Sequence, residues 1–485
     1  MFDLVIAGGR VHLETGAERC DIAVTGETIA EVAERITAPA RRRVEAEGLE
    51  VLPGLIDPHV HLGLPAGGAV SSDDVTSGTR AALFGGVTTV IDFSLQRPGM
   101  GMAEAVEARQ AEFRGRSYCD YALHANVTDF PDDFEARLRS ELTRLVDLGV
   151  TSLKIFTTYS RRGMMIPETA IPTVLGAAAA RGILVLVHAE EDAIVNAATD
   201  RLAAEGRLAV ADFPHNRPAE AEAEAIGRVT AAAVSSGARL YVVHVSTKAG
   251  LARATGAPSA AASAARGTNA TGAGGARVFV ETCPQYLWLT EEKYRGQDGH
   301  RFIVTPPLRT ASDREALRSA VRDARVDVIA TDHCPFRSSE TDHPERSCAE
   351  LPSGLPGIET RLPLLYTLAV NDGWADTGRW VDLLSTNPAR IFGLYPRKGV
   401  IRAGADADLV LFDAKERWTI EPARLHMRVD HSPYSGQEVQ GRVRAVVRRG
   451  AIVLENGKVS APPEGCFLRR SPERPGGDQP SSATH

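Results

Sequence analysis

The chain has 485 residues, of which 43% are hydrophobic, so it can bury a large core. Its 62 acidic and 55 basic residues are interspersed along the chain and give a net charge of -7. This pattern lacks the single-sign field that gathers nucleic acid or anionic lipid. We therefore expect a small-molecule partner, with neither nucleic acid nor a membrane as a ligand.

The cysteines and the first residues bear on the cellular compartment. The six cysteines are scattered without CxxC spacing, which is typical of a reducing environment. The opening residues lack a basic segment followed by an apolar one, and no apolar run reaches the ~20 residues of a membrane helix. We expect a cytoplasmic protein with buried, inert thiols.

Both ends of the chain carry short strand patterns. The segments DLVIAGGRV and CDIAVTGETIAEV lie at the start, and ADLVLFD and RVRAVVRRGAIVLENGKVS lie near the end. The two ends are predicted to pair, which forms a smaller β-sandwich domain from residues 1–52 and 400–465. Residues 466–485 have the Pro/Gly/Ser composition of a disordered tail, whose deletion we expect to leave activity intact.

Between these ends, apolar strand-like runs alternate with Ala/Leu/Arg-rich stretches of helical period. This alternation predicts an α/β fold with a parallel sheet covered by helices. There are eight such runs, the number that closes a (β/α)8 TIM barrel, here over residues 53–399. The runs span residues 51–61, 87–93, 121–127, 152–157, 184–189, 240–246, 278–283 and 326–332.

One segment interrupts this rhythm between the sixth and seventh runs. Residues 254–276 are rich in Ala, Gly, Ser and Thr and offer little surface to bury. The composition fits a mobile loop, and its Ala-rich part fits a poorly specified helix equally well.

Polar side chains mark the C-terminal ends of several runs, where barrel enzymes hold their active sites. A single histidine at a strand end is more often a packed core residue than a ligand. Four histidines and an aspartate at one barrel mouth indicate a catalytic metal site, because imidazole and carboxylate are usual ligands of zinc. The first two histidines are two residues apart on a strand and point to the same side. The set is His59, His61, His188, His244 and Asp332.

Lys154, in the fourth run, distinguishes a site with one metal ion from a site with two. Divalent cations would repel an ammonium group, but a desolvated lysine readily becomes the neutral amine, which can add carbon dioxide. The resulting carbamate would bridge two zinc ions held by His59/His61 and His188/His244. The alternative is an ordinary lysine with its head in solvent, which the apolar LKIF context disfavours.

Such a centre would serve amide hydrolysis. Two zinc ions that share a water lower its pKa and polarise an amide carbonyl, as attack on an unactivated amide requires. Asp332, at the edge of the cluster, is placed to take the proton from the bridging water and return it to the leaving nitrogen. The residues alone thus predict a metal-dependent hydrolase with Asp332 as general base and acid.

Ordered motifs from about residue 3 to about residue 460 resemble those of the amidohydrolase superfamily, and within it the dihydropyrimidinase/hydantoinase group. PGLIDPHVHL resembles the first metal motif, and GVTSLKIFTTY resembles the segment whose lysine is carboxylated. VHAEEDAI and VVHVST resemble the two histidine segments, and ATDHCPF resembles the aspartate segment. GVTTVIDF, ETCPQYLWLT and TPPLR are further hallmarks of the group.

The resemblance implies two Zn2+ ions per subunit, or other divalent metals, bridged by Lys154 as N6-carboxylysine. It further implies that Tyr159 donates a hydrogen bond to the oxyanion of the tetrahedral intermediate, although Tyr159 as mere packing is the alternative. Main-chain atoms near Thr305 and Ser353 would hold the ring imide. The expected assembly is a homotetramer or a homodimer. The expected ligands are His59, His61 and Asp332 on one ion, His188 and His244 on the other, and Lys154 on both.

The reaction implied is hydrolysis of 5,6-dihydrouracil or a 5-substituted hydantoin to the N-carbamoyl amino acid. The turn in LPSGLPGIETRLPLL departs from the group's usual PNG turn and, with HSPYSGQEVQG, favours allantoinase as the alternative. Gly63 stands where dihydroorotases have an arginine that binds the substrate carboxylate, which disfavours dihydroorotate. A non-catalytic scaffold paralogue is the remaining alternative, but all six expected ligands are present.

Overall fold

The computed structural model describes residues 1–66, 68–256, 276–343 and 346–472. A sheet of eight parallel strands forms its centre, and a parallel bridge between Val60 and His333 joins the last strand segment back to the first. The predicted (β/α)8 fold is confirmed. Its strands are Leu55–Val60, Val87–Phe93, Asp120–Asn126, Ser152–Phe156, Leu184–His188, Arg239–Val242, Arg277–Thr282 and Val328–Ile329.

Helices separate these strands along the chain and cover the outer face of the barrel. The longer α-helices are Val75–Phe84, Met102–Phe113, Phe134–Asp147, Ala170–Ala179, Asp192–Ala204, Ala219–Ser236, Lys248–Thr255, Ala311–Arg322 and Arg361–Asn371. Short α-helical segments are Phe213–Asn216, Pro284–Trp288, Ser338–Thr341, Arg379–Val381 and Asn387–Ile391, and a π-helical turn spans Asp382–Thr386. The 3-10 turns are Ser160–Arg162, Val210–Asp212, Glu291–Arg295, Gly299–Phe302, Ala375–Thr377 and Pro422–Arg424. Within the described ranges, none of the helices combines the length and apolarity needed to cross a bilayer.

Both chain ends build a second sheet, of nine strands, as the sequence predicts. Glu50–Pro53 pairs antiparallel with Leu409–Thr419, so that the two ends of the chain are directly hydrogen-bonded. Phe2–Leu13 pairs in parallel with Ala40–Glu45 along its first half and with Glu50–Pro53 along its second half. The other strands are Gly16–Thr25, Thr28–Ala33, Glu438–Arg448, Ala451–Glu455 and Lys458–Val459, and a small separate hairpin joins Pro65–Ala66 to Ala69–Val70.

The predicted run 51–61 contains parts of two strands that belong to different sheets. Gly54 lies between them, at the point where the chain leaves the end sheet and enters the barrel. A Cβ atom at Gly54 would lie 2.2 Å from Thr88 Oγ1 and 2.7 Å from Asp408 Cβ. Glycine is therefore required at this crossing, because the backbone passes too close to both neighbours for any side chain.

Alternation along the strands divides side chains between the barrel interior and the covering helices. Leu184 and Leu186 belong to the interior apolar cluster, whereas Val185 and Val187 pack in the cluster shared with the helices. The same alternation directs His188, at the end of this strand, toward the inside. Apolar side chains thus fill the barrel below the strand ends, and the polar ones lie at its mouth.

The C-terminal segment departs from its prediction. Leu468 is fully buried in the interior cluster, and its backbone N donates to Tyr121 O at 2.7 Å. Arg470 N donates to Gly149 O at 2.9 Å. The prediction of a disordered tail from residue 466 is therefore wrong for residues 466–472. The buried side chain of Leu468 and the two backbone hydrogen bonds hold this segment against the barrel. Residues 473–485, and residues 257–275 of the Ala/Gly-rich insertion, lie outside the described residues.

We expect Leu468→Ala to lower the free energy of unfolding by about 2–5 kcal/mol, because it removes a fully buried side chain from a packed cluster. Urea denaturation followed by circular dichroism measures the loss. Arg469→Ala is the matched control, since Arg469 is the exposed neighbour, and we expect a change below about 0.5 kcal/mol. Equal stability of the two variants would contradict the docking of this segment.

Candidate metal centre and active site

Side chains from the first and last barrel strands meet at the barrel mouth. His59 Nε2 and His61 Nε2 lie 3.3 and 3.2 Å from Asp332 Oδ1. The ligand atoms of these three residues all lie within 4.8 Å of one another, close enough to hold one metal ion. His59 and His61 are two residues apart and both face the site, whereas Val60 between them packs against the helices, as strand alternation predicts.

The second predicted histidine pair lies beside the first. His188 Nδ1 and His244 Nε2 are 3.0 Å apart, and the ring centroids of His59 and His244 are separated by 5.6 Å. All four histidines therefore converge at one place, although they come from three different strand ends. The sequence predicted this convergence from the strand order alone.

Hydrogen bonds to two carboxylates orient these rings. His188 Nε2 lies 2.6 Å from Glu190 Oε2, and His59 Nδ1 lies 2.8 Å from Glu281 Oε1, so each ring donates its N–H away from the centre. Burial lowers the pKa of His59, His188 and His244, which keeps the rings neutral. The opposite nitrogens are then unprotonated and face the site. Unprotonated imidazoles facing a carboxylate form a donor set that fits a divalent cation.

Lys154 lies in the same buried region, with 2% of its surface exposed. Its Nζ is 5.5 Å from the ring centroid of Phe93 and 5.4 Å from that of Phe156. Burial lowers the pKa of Lys154 to about 8, although Glu281 and Asp332 oppose the shift. The alternative of a lysine with its head in solvent is therefore wrong, and the lowered pKa increases the neutral fraction of the amine near neutral pH.

The backbone is strained at three of the predicted site residues. Tyr159, His244 and Asp332 have φ angles of 75°, 37° and 53°, in the left-handed region that non-glycine residues rarely adopt. Such conformations concentrate at functional sites, where the surrounding structure holds them. The turn at His244 also interrupts the strand alternation, so that its side chain reaches the site after Val243 has pointed into the barrel.

Asp332 is an ionised carboxylate at neutral pH. Burial alone would raise its pKa, but His59, His61 and Lys154 more than offset this effect and hold the pKa below its ordinary value. The side chain is 11% exposed, so it borders both the histidine cluster and the space in front of it. This placement suits a group that exchanges a proton with a substrate.

The three residues predicted to contact substrate line a single cavity of about 190 Å3. Thr305 Oγ1 and Ser353 Oγ are 2.8 Å apart across its wall. The ring of Tyr159 lies 5.1 Å from that of His188, so the cavity adjoins the histidine cluster. Removal from bulk water raises the pKa of Tyr159 to about 12, which keeps its hydroxyl protonated and able to donate.

Three functional residues were not predicted from the sequence. Glu281 accepts from His244 N at 2.9 Å and from the Tyr241 hydroxyl at 2.8 Å, in addition to its contact with His59. Glu190 accepts from Arg217 Nε at 3.0 Å. Both carboxylates were visible as acidic residues next to apolar strand runs, VFVETC and VHAEED. No sequence pattern distinguished Arg217 from other arginines, because it lies in a polar segment between helices.

Comparisons with known proteins agree with this geometry. Residues 51–453 match the amidohydrolase family. D-hydantoinase from Ralstonia pickettii is 34% identical over 473 residues, which cover 96% of this chain and 99% of that protein. D-hydantoinase from Geobacillus stearothermophilus is 32% identical over 472 residues, covering 96% of each.

Solved structures place the chain in the same group. Dihydropyrimidinase from Brevibacillus agri superimposes with a TM-score of 0.90 at 35% identity, over 98% of this chain and 100% of that one. L-hydantoinase from Arthrobacter aurescens gives 0.86 at 26% identity, over 97% and 100% of the two chains. The resemblance inferred from the motifs is confirmed: the chain belongs to the amidohydrolase family, within its dihydropyrimidinase and hydantoinase group.

Proposed function

We propose that this enzyme hydrolyses the ring amide of dihydropyrimidines or 5-substituted hydantoins to N-carbamoyl amino acids. The observation that carries the proposal is the convergence of two histidine pairs with Lys154 and Asp332 at one barrel mouth. Similarity to D-hydantoinases and to a dihydropyrimidinase supports the choice of a cyclic amide as substrate. Allantoinase is the second candidate, and the PSG turn at Ser353, on the cavity wall, favours it.

The donor set of this site would hold two divalent metal ions, zinc ions in our proposal. When bound, they would lower the pKa of a shared water and polarise the amide carbonyl. The low pKa of Lys154 supports its carboxylation, since only the neutral amine attacks carbon dioxide, forming the N–C bond of the carbamate and releasing a proton. The proposed ligands are His59, His61 and Asp332 for one ion, His188 and His244 for the other, and carboxylated Lys154 for both.

Asp332 would move the proton during the reaction. As a carboxylate it accepts a proton from the attacking water, and it then donates that proton to the ring nitrogen as the C–N bond breaks. Tyr159, with its hydroxyl protonated, would donate a hydrogen bond to the carbonyl oxygen as negative charge develops there. Main-chain atoms near Thr305 and Ser353 would hold the ring in the cavity that all three residues line.

The assembly and the compartment are also part of the proposal. We propose a homotetramer, with a homodimer as the alternative. The chain is similar to its relatives over nearly its whole length, so we expect it to assemble as the resemblance to the group implies. The six cysteines are all free thiols, and five of them are buried, which supports a reducing compartment and hence the cytoplasm.

A panel of substrates tests the function. We expect zinc-loaded enzyme to turn over dihydrouracil or a neutral or charged 5-substituted hydantoin with a higher kcat/KM than allantoin or dihydroorotate. Ring opening is followed by loss of ultraviolet absorbance and by chromatography of the N-carbamoyl product. A preference for allantoin would favour the second candidate, and turnover of no member of the panel would refute the proposed reaction.

Removing the bridging group should remove the metal as well. We expect Lys154→Ala to lose both bound zinc, measured by elemental analysis, and turnover, because alanine offers no amine that could form the bridging carbamate. Lys458→Ala, at an exposed position, is the control and should keep both. Native mass spectrometry of the wild type should show one added carbon dioxide per subunit. An unmodified lysine in active, metal-loaded protein would contradict the proposal.

The proton-transfer role of Asp332 predicts a different outcome for its substitution. We expect Asp332→Asn to reduce kcat by about 100- to 10,000-fold, the usual contribution of a positioned acid-base group, while the fold is retained. Steady-state kinetics and circular dichroism measure the two effects. Asp323→Asn, which changes an exposed carboxylate, is the control and should keep its kcat. A variant at Asp332 that retained most of the wild-type kcat would exclude this role.

A further inference from the structure

Charged and polar side chains interrupt the largely apolar walls of the substrate cavity. Beside Tyr159, Thr305 and Ser353, the lining includes arginines and asparagines in place of a continuous apolar surface. Ligand cavities are mostly apolar, and the few polar or charged groups in their walls determine the orientation and specificity of the ligand. The charged lining residues are Arg161, Arg162, Asp192 and Arg217.

Two guanidinium groups flank the Tyr159 ring. The Cζ of Arg217 lies 5.2 Å from the ring centroid, and the Cζ of Arg162 lies 5.1 Å from it. Arg217 is buried, and its Nε lies 3.0 Å from Glu190 Oε1, so its charge is already compensated. Arg162 is exposed and, among the described residues, has no acidic partner.

The other two charged lining residues are also satisfied. Arg161 forms an ion pair with Asp200 at 2.7 Å. The Asp192 carboxylate accepts from Ser160 N at 3.1 Å, from the Ser160 hydroxyl at 2.5 Å and from Asn196 Nδ2 at 2.7 Å. Among the described residues, Arg162 is therefore the charged residue of the cavity lining for which no ion-pair partner is found.

We infer that Arg162 binds an anionic substituent of the ring, so that the preferred substrates are cyclic amides bearing a carboxylate-terminated side chain. This inference rests on the proposed function and narrows its substrate class. An arginine that lines the cavity and is also exposed lies at its rim, where a substituent projecting from the ring toward solvent would end. A guanidinium binds a carboxylate through two parallel N–H donors, which gives both affinity and orientation.

This placement separates the inferred substrate from dihydroorotate. The dihydroorotase arginine would have stood at position 63, where this chain has glycine. Arg162 instead lies on the ring of Tyr159, the residue proposed to face the reacting carbonyl. The carboxylate it binds is therefore expected at the end of a side chain, as in a carboxymethyl substituent, and not directly on the ring.

A pair of nearly isosteric substrates tests the inference. Hydantoin with a carboxymethyl group at C5 carries the charge, and hydantoin with a carbamoylmethyl group at C5 has the same shape without it. We expect wild-type enzyme to favour the carboxylate in kcat/KM by about 5- to 20-fold, the range for a partly exposed charge-assisted hydrogen bond. We expect Arg162→Gln to abolish this ratio, mainly by raising the KM of the charged substrate.

Arg201→Gln is the matched control, because it removes an equal charge from an exposed position that does not line the cavity. We expect it to keep the ratio within about twofold. Raising the salt concentration from about 20 mM to about 0.5 M should reduce the wild-type preference, since the contact is exposed to screening.

The possible outcomes distinguish failure of this inference from failure of the proposed function on which it rests. Equal turnover of the two hydantoins by wild-type enzyme, or a preference for the neutral one, would overturn the inference and leave the hydantoinase function standing. Equal losses for both substrates in Arg162→Gln would also overturn it, because Arg162 would then act on Tyr159 and not on the substituent. Hydrolysis of neither hydantoin would refute the proposed function itself.

Discussion

Closure of the barrel between its first and last strands is the constraint on which the candidate site depends. His61 N donates to His333 O at 2.9 Å, directly beside Asp332. His333 is itself held on both ring nitrogens, since Nε2 lies 3.2 Å from Asp73 Oδ2 and Nδ1 accepts from Gly357 N at 3.1 Å. This closure brings Asp332 to the histidines of the first strand, although they are far apart in sequence.

Besides barrel closure, the candidate site depends on hydrogen-bond or ion-pair partners for the charged groups buried near it. Removing an ionised group from water is costly unless hydrogen bonds or an opposite charge compensate for the loss. Glu190 lies between His188 and Arg217, whose charge, together with a hydrogen bond from His188, holds the Glu190 pKa well below its ordinary value despite burial. Arg217 in turn lies against Tyr159. The histidine cluster and the substrate cavity are thus joined by one continuous set of contacts through Glu190 and Arg217.

Much of the architecture could be predicted from local patterns. All eight barrel strands were visible as apolar runs, and the alternation of side chains predicted that His59 and His61 point to the same side. The docking of Leu468 and the roles of Glu281 and Arg217 were not visible. A leucine in a polar tail, a glutamate after an apolar run and an arginine in a loop are each common at solvent-exposed positions, and only burial distinguishes the ones that pack inside the protein.

The order of strands and helices, the pairing of the chain ends and the metal-binding candidates could all be inferred before folding was considered, because they depend on periodicity and on residue type at strand ends. Which groups face one another follows from the folded chain alone. The left-handed backbone at His244 and Asp332, the shift of register before Val60 and the two arginines on the ring of Tyr159 all arise from contacts between distant segments. Local propensity does not encode such contacts, because it depends only on neighbours along the chain.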